Sequence, residues 1–490
     1  MLFLCIDVGT TCSKAQVFDE KGNILFYDAR ECPLTMMDEN PYADIGLIKD
    51  TVFSLIKDAS RVGPISSIAF SSFGESFVLL GKDDELLTYP MLYTDARGEK
   101  QAQMVSTLIG DETMYQIAGV MPNAMYSLYK LLWIKENQPE KYQKAQKACL
   151  IVDYFGYLLT GKCVIDYALA ARTGVFDIRK KEYSLEILQQ LGINAGLFSK
   201  TMPTGSIVGT LNEDIAKELG LPQDCKLVLG SHDQVCATLG AGVYKSGQAA
   251  DGMGTVECIT AVFEGAPDNV EFGRMGYPIV PFVEDGLYCT YILNYSSGSL
   301  VNWYRKDILH GYKGDEESFF AYADKHMSSK PSDLLLLPYF GGAATPYQDN
   351  NATGAILGLT LQTKDIEIYQ AILEGTSFEM KLNLDIAAAY GINIQNAVAT
   401  GGGSNSDKWL QIKADITGLT LTTLRSSEGG LCGLAILQAE ALGLVKDKKQ
   451  GVEIYVQYKK VFTPTNEGQG NYRNKYQKYK NLYTTIKSLD

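Results

Sequence analysis

The sequence is poor in the residues that bind transition metals. It has only three histidines, and its ten cysteines are scattered without a single Cys-x-x-Cys pair. Zinc sites use closely spaced cysteines and histidines, so this composition argues against one. Many of the cysteines lie within apolar runs, which fits the core of a reduced, cytoplasmic protein.

The sequence also lacks long apolar segments and an excess of positive charge. No apolar run approaches the roughly 20 residues that a membrane span needs. The N-terminus, MLFLCIDVGTT, has no basic segment of the kind that begins a signal peptide. The net charge of −13 argues against general binding to nucleic acid or to an anionic membrane. An anionic ligand would therefore need locally placed donors.

What is present is enough apolar sequence for more than one domain. The chain has 490 residues, of which 46% are hydrophobic. A length prior of roughly 150 residues per domain gives about two to four domains. Each half of the chain can therefore bury a large core.

The N-terminal segment predicts a hairpin whose tip suits a phosphate chain. The apolar run Leu2–Val8 is followed by a turn that contains Thr10 and Thr11, and then by Lys14 and a second strand. Backbone N–H groups, two hydroxyls and an amine could bind phosphate oxygens there, while Asp7 could hold a hydrated divalent cation. An ordinary polar hairpin explains these residues equally well.

Three charged residues follow predicted strand ends further along the chain. Glu75 comes after an apolar strand over residues 64–70, and Asp95 and Arg97 come after the next strands. Such groups suit a polyol, because each of its hydroxyls both donates and accepts hydrogen bonds. Solvated turns with a surface ion pair are an equally good explanation.

The stretch over residues 227–242 places an acid where a parallel sheet would present it to a ligand. A short apolar strand over residues 227–229 ends there, and a helix of small residues begins at Asp233. Open α/β folds bind ligands at this carboxyl edge of the sheet. Alternatively, Ser231 caps the helix and Asp233 only complements the helix dipole.

The second half of the chain repeats part of the first. A strand, a Gly-Thr turn at Gly254 and Thr255, and another strand indicate a two-fold internal organisation with a boundary near residue 243. Further on, the three glycines 401–403 separate a predicted strand from a helix that begins at Asp407. Such a turn would let a nucleotide lie flat on the backbone.

These segments together resemble the FGGY family of carbohydrate kinases. Residues 6–14 (IDVGTTCSK) are similar to the family's first phosphate loop, and residues 125–137 (MYSLYKLLWIKEN) match its helical signature. Residues 354–374 resemble its second signature. Residues 231–234 (SHDQ) fall where the family has its catalytic aspartate, residues 251–257 at its second phosphate loop, and residues 400–405 at its adenosine loop.

The resemblance implies an α/β fold with two actin-like ATPase (ribonuclease H-like) domains and a cleft between them. We expect a sugar-binding N-terminal domain with the catalytic base over residues 1–242, and an ATP-binding C-terminal domain over residues 243–490. The implied enzyme transfers the γ-phosphoryl group of MgATP to a hydroxyl of a small open-chain sugar. That sugar would be a ketose similar to xylulose, fuculose or rhamnulose.

The resemblance also implies a role for each candidate residue. Asp233 would be the general base, and Asp7 would hold Mg²⁺. The nucleotide would be bound by Thr10, Thr11, Lys14, Gly254, Thr255, Gly402, Gly403 and Asn405. The sugar would be bound by Glu75, Asp95, Arg97, His232 and Gln234.

Two departures from the family pattern bear on which sugar is bound. Residues 73–76 read FGES where xylulokinase-like members have QMHG, and residues 342–346 read GAATP where many members have GERTP. The missing histidine and arginine argue against D-xylulose, while residues 231–233 look closer to the deoxyketose kinases. The alternative function is a catalytically silent sugar or nucleotide sensor. We expect no nucleic-acid or membrane partner, and a homodimer only because it is a family habit.

Overall fold

A computed structural model of the chain describes residues 1–37, 40–309, 316–328, 330–425 and 428–489. Its framework consists of two large mixed sheets, one of six strands and one of seven. None of the helices in these ranges is both long and apolar enough to cross a membrane.

The strands before residue 243 form the first sheet and four small two-stranded ladders. They are β1 (Leu2–Val8), β2 (Cys12–Asp19), β3 (Ile24–Glu31), β4 (Thr35–Met37), β5 (Asn40–Tyr42), β6 (Ser67–Ser72), β7 (Phe77–Leu80), β8 (Lys147–Leu150), β9 (Val164–Asp166), β10 (Phe176–Asp177), β11 (Glu182–Tyr183), β12 (Lys200–Met202), β13 (Ile207–Thr210) and β14 (Lys226–Val228).

The strands after residue 243 form the second sheet and one further ladder. They are β15 (Gln248–Met253), β16 (Glu257–Glu264), β17 (Val280–Pro281), β18 (Leu287–Asn294), β19 (Leu335–Leu337), β20 (Ala355–Leu357), β21 (Asn396–Thr400), β22 (Thr420–Leu424) and β23 (Tyr458–Phe462).

Helices connect these strands along the whole chain. In the first half they are α1 (Ile45–Ala59), α2 (Glu99–Leu108), α3 (Asp111–Ala118), α4 (Ser127–Asn137), α5 (Pro139–Lys144), α6 (Ile151–Thr160), α7 (Tyr167–Ala171), α8 (Leu185–Gln190), α9 (Glu213–Leu219) and α10 (Asp233–Gly240). In the second half they are α11 (Val270–Arg274), α12 (Gly298–Trp303), α13 (Glu316–His326), α14 (Asp365–Ala389), α15 (Asp407–Thr417), α16 (Gly429–Ala441), α17 (Lys448–Tyr455), α18 (Asn466–Tyr479) and α19 (Leu482–Lys487).

The two large sheets share one strand arrangement. Their orders are β13-β14-β6-β1-β2-β3 and β17-β18-β16-β15-β21-β22-β23. In the first, the antiparallel set β3-β2-β1 continues into the parallel strands β6 and β14. In the second, β18-β16-β15 continues in the same way into β21 and β22. This confirms the α/β class and the repeat that the two Gly-Thr turns indicated.

Strand β1 is buried on both faces, which explains its nearly continuous apolar sequence. Successive side chains of a strand point to opposite faces. Leu4 and Ile6 accordingly belong to a core that includes apolar residues of α1, whereas Phe3 and Cys5 belong to a core that includes apolar residues of α16. Helices therefore cover both faces of this sheet, as its parallel strands require.

Helix α16 connects the two halves, although the sequence places it in the second. It packs on β1, on β6 and along α10. The crossing with α10 is so close that a Cβ atom on Gly240 would lie 1.8 Å from the backbone oxygen of Gly429. The side chain of Gln438 accepts a hydrogen bond from Ser67 Oγ at 2.7 Å. The helix that begins at Asp233 is thus held between the two halves.

Two predicted elements differ from the structure. The apolar residues 145–160 predict one helix, but the segment divides into β8 and α6, because residues Lys147–Leu150 pair with β7. The charged tail after residue 446 predicts a surface helix, yet it contributes β23 to the edge of the second sheet as well. In both cases a distant strand supplies hydrogen bonds that local periodicity cannot reveal.

Candidate active site

The carboxyl ends of the parallel strands in the first sheet meet at one edge, which carries several of the candidate residues. Asp7 lies near the end of β1 and accepts a hydrogen bond from Ser71 Oγ of β6 at 2.6 Å. The next residue, Ser72, forms a parallel bridge with His232, which follows β14. Three strands therefore bring Asp7, His232 and Asp233 to the edge where open α/β sheets bind ligands.

Asp233 is the first residue of α10, as the sequence predicts. Its Oδ1 accepts a hydrogen bond from the backbone N–H of Gln234 at 2.6 Å. Although 37% of the side chain remains exposed, burial within the cleft and the nearby charge of Asp7 raise the pKa of this carboxyl to about 8. A carboxyl group with a raised pKa in a cleft suits proton transfer.

Ser231 does not cap α10, so that part of the alternative explanation is wrong. Its Oγ donates instead to Asp166 Oδ2 at 2.6 Å. Asp166 also caps α7 through the backbone N–H groups of Ala168 and Leu169. A hydrogen bond to a charged carboxylate is stronger than one between neutral groups. This favours the contact of the Ser231 hydroxyl with Asp166 over a contact with the N–H groups of α10.

Glu75 lies close to Asp233 and adopts an unusual backbone conformation. Its φ of 63° is in the left-handed region, which non-glycine residues enter mainly at strained or functional positions. Its buried carboxylate accepts a hydrogen bond from Arg172 Nε at 2.5 Å, and its backbone oxygen accepts one from Ser127 Oγ at 2.7 Å. The ion pair and the backbone contact together fix the orientation of Glu75.

Arg172 is a site residue that the sequence analysis missed. Its guanidinium group is 5.0 Å from the ring centre of Tyr126 and 5.8 Å from that of Tyr291. Its Nη1 is buried and has no hydrogen-bond partner among the described residues. An unpaired buried donor costs free energy, which an acceptor on a bound ligand would recover. The available signal was a single arginine that ends the apolar run YALAA.

Asp95 and Arg97 form a second ion pair beside the first. Arg97 Nε donates to Asp95 Oδ1 at 3.0 Å. The guanidinium group lies 4.9 Å from the ring centre of Tyr42 and 5.1 Å from that of Trp133. Trp133 of α4 thus provides an aromatic face for a cation.

Lys130 of α4 lies between the two ion pairs. Its ammonium group donates to the backbone oxygen of Met125 at 2.9 Å. Burial lowers its pKa to about 8, while the charges of Glu75 and Asp95 act in the opposite direction. Their common influence on Lys130 places Glu75, Asp95 and Arg97 in one cluster, as the sequence predicts.

The turn between β1 and β2 requires glycine at its first position. The N–H of Gly9 donates to the backbone oxygen of Cys12 at 3.0 Å, and a Cβ atom on Gly9 would lie 2.6 Å from that oxygen. Thr10 and Thr11 follow at the open tip. Lys14, the predicted phosphate ligand, pairs with Glu428 at 2.9 Å, and this ion pair links the two halves of the chain; its role toward phosphate stays a prediction.

The corresponding turns of the second sheet lie against one another. The backbone oxygens of Gly254 and Thr255 accept hydrogen bonds from the N–H groups at the start of α12. A Cβ atom on Gly403 would lie 2.8 Å from Met253 Cβ, whereas one on Gly402 would meet open space. Asn405 ends the short 3₁₀ helix Gly402–Asn405, and Ser406 caps α15 through the N–H of Trp409.

Beneath these turns lies a buried charged triad that the sequence analysis also missed. Lys413 of α15 donates to Asp251 Oδ2 at 2.6 Å and forms a second ion pair with Glu257. Ser297 Oγ donates to Glu257 Oε2 at 2.7 Å. All three charged side chains are almost completely inaccessible to solvent. The triad therefore ties β15 and β16 to α15 directly below the Gly254 turn.

The structure thus divides the candidate residues between two sheet edges. The edge of the first sheet carries Asp7, Glu75, Asp95, Arg97, His232 and Asp233, together with the Thr10–Thr11 turn. The edge of the second sheet carries Gly254, Thr255, Gly402, Gly403 and Asn405. Gln234 is exposed on the first turn of α10; its backbone N–H donates to Asp233 Oδ1 and its backbone oxygen accepts from Thr238 Oγ1.

Comparison with known proteins identifies the family of the chain. The N-terminal domain of the FGGY family of carbohydrate kinases matches residues 2–240, and its C-terminal domain matches residues 254–442. The chain is 26% identical over 500 residues to the xylulose kinase of Bacillus subtilis, covering 99% of this chain and 97% of that one. It is 27% identical over 458 residues to the gluconokinase of the same species, covering 90% of this chain and 88% of the other.

A solved structure gives the same result for the fold. The xylulose kinase of Lactobacillus acidophilus is 27% identical and superposes with a TM-score of 0.87, covering 100% of this chain and 98% of that one. The two actin-like halves predicted from the sequence are therefore confirmed. The chain belongs to the FGGY family of carbohydrate kinases.

Proposed function

We propose that this carbohydrate kinase transfers the γ-phosphoryl group of ATP to a hydroxyl of a neutral open-chain sugar, a ketose, with Asp233 as the general base. The observation that carries the proposal is the position of Asp233. It lies at the carboxyl edge of the first sheet, next to the Glu75–Arg172 ion pair and within electrostatic reach of Asp7.

The residues at the two edges suit a nucleotide and a divalent cation. The N–H groups of Gly9 and Gly254 are bonded within their own turns, so phosphate oxygens would be cradled by the N–H and hydroxyl groups of Thr10, Thr11 and Thr255. The open space over Gly402 leaves room for a planar group against the backbone. The Asp7 carboxylate suits a hydrated Mg²⁺ ion, which would neutralise charge on the transferred group when bound.

The reaction follows from the position and pKa of Asp233. As the sugar oxygen bonds to the γ-phosphorus, its proton passes to the Asp233 carboxylate, the bond to the β-phosphate oxygen breaks, and ADP leaves. A sugar hydroxyl is a far weaker acid than a carboxyl of pKa about 8, so the proton moves late in the step. Asp233 then returns the proton to water after release of the sugar phosphate.

The pairing of charges favours a neutral sugar over a sugar acid. Arg172 and Arg97 are already neutralised by Glu75 and Asp95, so neither arginine offers an uncompensated charge to a carboxylate. Lys130, a third cation of the cluster, has its pKa lowered to about 8 by burial and its ammonium group engaged with the Met125 backbone oxygen. The unpartnered Nη1 of Arg172 can bind a hydroxyl or carbonyl oxygen instead. Glu75 stands where xylulokinase-like members have histidine, and its pairing with Arg172 explains how a carboxylate is accommodated there.

The proposed roles of the two halves of the chain follow from these two edges. We propose that residues 1–242 bind the sugar and supply the base, and that residues 243–490 bind the nucleotide. Helix α16 lies in the second segment but packs on the first sheet, so a cut at residue 243 would expose the faces of β1 and β6 that it covers.

The test is sugar-dependent release of ADP from MgATP across a panel of ketoses, deoxyketoses, polyols and aldonates. We expect one ketose or deoxyketose to stimulate release far above the rate without sugar. Stimulation by gluconate alone would replace the ketose assignment with an aldonate. If no sugar stimulates release although MgATP protects the protein against thermal unfolding, the substrate assignment is wrong.

A further inference from the structure

A tyrosine of the second sheet contacts the residue that precedes Asp233. Tyr291 lies on β18, and its hydroxyl is 3.3 Å from His232 Nδ1. The other ring nitrogen of His232, Nε2, lies 3.2 Å from Asp233 Oδ1. His232 and Tyr291 are each only 7% exposed. A chain of polar contacts therefore runs from the second sheet to the candidate base.

The chemistry of the three groups determines which atom donates and which accepts at each of these contacts. Burial and the charge of Arg172 hold the pKa of His232 well below its usual range, so the ring is neutral and carries one proton. A lone pair on Nε2 would repel the Asp233 carboxylate, whereas an N–H there attracts it. Nδ1 is then the acceptor, and Tyr291, whose pKa burial raises, donates its hydroxyl proton.

We propose that Tyr291 is a positioning residue for phosphoryl transfer, which sets the tautomer of His232 and thereby places an Nε2 proton, rather than a lone pair, beside Asp233. The inference rests on the proposed role of Asp233 as the base. Because β18 belongs to the second sheet and His232 follows a strand of the first, the contact also makes the base sensitive to how the two halves meet.

The surroundings of Asp233 leave few other groups for this task. The charged groups that act on it are Asp7 from β1, Glu75 after β6 and Arg172 after α7. Asp7 and Glu75 raise its pKa, and Arg172, which opposes them, is already paired with Glu75. Besides the backbone N–H of Gln234, which donates to Oδ1 at 2.6 Å, the His232 N–H is a side-chain donor beside the carboxylate that can favour its charged form.

The first experiment compares Tyr291→Phe with the matched variant Tyr288→Phe. Tyr288 lies on the same strand, is also buried, and donates its hydroxyl to the backbone oxygen of Ile178 at 3.1 Å. For Tyr291→Phe we expect kcat to fall about three- to tenfold, the effect of one lost hydrogen bond, with the sugar KM nearly unchanged. Tyr288→Phe should leave both constants at their original values.

The pH dependence of kcat/KM separates positioning from simple loss of stability. Without Tyr291 the Nδ1–H tautomer becomes available, Nε2 turns a lone pair toward Asp233, and the carboxylate is disfavoured. We expect the acid limb of the Tyr291→Phe profile to move to higher pH. A variant that is merely less stable would keep the limb of the original protein, and that result would overturn the proposal.

A double-mutant cycle with His232→Ala completes the test. Alanine neither accepts a hydrogen bond from Tyr291 nor donates one toward Asp233, so adding Tyr291→Phe in this background should cost nothing further. Equal losses in both backgrounds would refute the relay. If Asp233→Asn abolishes turnover and Tyr291→Phe has no effect, the inference fails alone; if Asp233→Asn keeps full turnover, the proposed function fails as well.

Discussion

The two large sheets share the order of six strands but present different chemistry at their carboxyl edges. The first edge carries charged side chains, with Asp7 and Glu75 within electrostatic reach of Asp233. The second edge presents glycine-rich backbone, and its charges, Asp251, Glu257 and Lys413, are locked beneath it. The same strand arrangement thus carries reactive side chains in one half, whereas in the other half it presents uncharged backbone above a buried charged triad.

The difference between the two edges is tested most directly by removing the acid from the first edge. Asp233→Asn keeps the size of the side chain but cannot accept the proton, so we expect kcat to fall by about 10²–10⁴-fold. Nucleotide affinity should persist, because Asp233 is not among the proposed nucleotide contacts, which lie on the second edge and in the Thr10–Thr11 turn. Isothermal titration with ATP alongside the ADP-release assay measures both, and a parallel loss of ATP binding would contradict the division between the edges.

Substitutions in the charged triad beneath the second edge should lower the stability of the protein rather than affect the chemical step. Lys413→Met leaves Asp251 and Glu257 buried without their cation, so we expect the free energy of unfolding to fall by about 3–5 kcal/mol. Lys57→Ala is the control, because its ion pair with Glu218 is at the surface and should cost less than about 1 kcal/mol. Urea unfolding of both variants checks this; similar small losses would mean that the triad is not a support.

The open position over Gly402 provides a separate test of whether the second edge binds the nucleotide. A methyl group there meets no protein atom within 4 Å, so Gly402→Ala should leave stability unchanged while weakening ATP binding about tenfold, or ~1.4 kcal/mol. Gly470→Ala, which also adds its methyl to open space, serves as the control with unchanged ATP affinity. Thermal unfolding and ATP titration are the measurements, and equal ATP affinity in both variants would remove Gly402 from the nucleotide site.

The chemistry of the first edge is also tested without a substitution, through the pH dependence of the original enzyme. The base must be ionised to accept a proton, and its pKa is raised to about 8. We therefore expect kcat/KM to be highest above that pH and to decline about tenfold per pH unit below it. A profile that is flat between about pH 6 and pH 9 would show that the ionisation of Asp233 does not limit catalysis.

Local patterns predicted the elements that carry the site better than the contacts that complete it. The strand Leu2–Val8 and the helix that begins at Asp233 agree with the sequence-based expectation, because apolar periodicity and turn residues act over a few positions. Arg172 and Tyr291 were missed, since their importance arises from Glu75 and His232, which lie far away in sequence.

The sequence by itself determined the two-fold α/β organisation, the family, and most residues of both edges. Those features depend on short motifs and on periodicity, which are local properties of the chain. The tertiary structure alone decided that Ser231 binds Asp166, that Lys14 pairs with Glu428, and that Lys413 is buried with two carboxylates. Such pairings depend on which side chains the packed sheets bring together, because ions and donors that lose water must find partners wherever the fold places them.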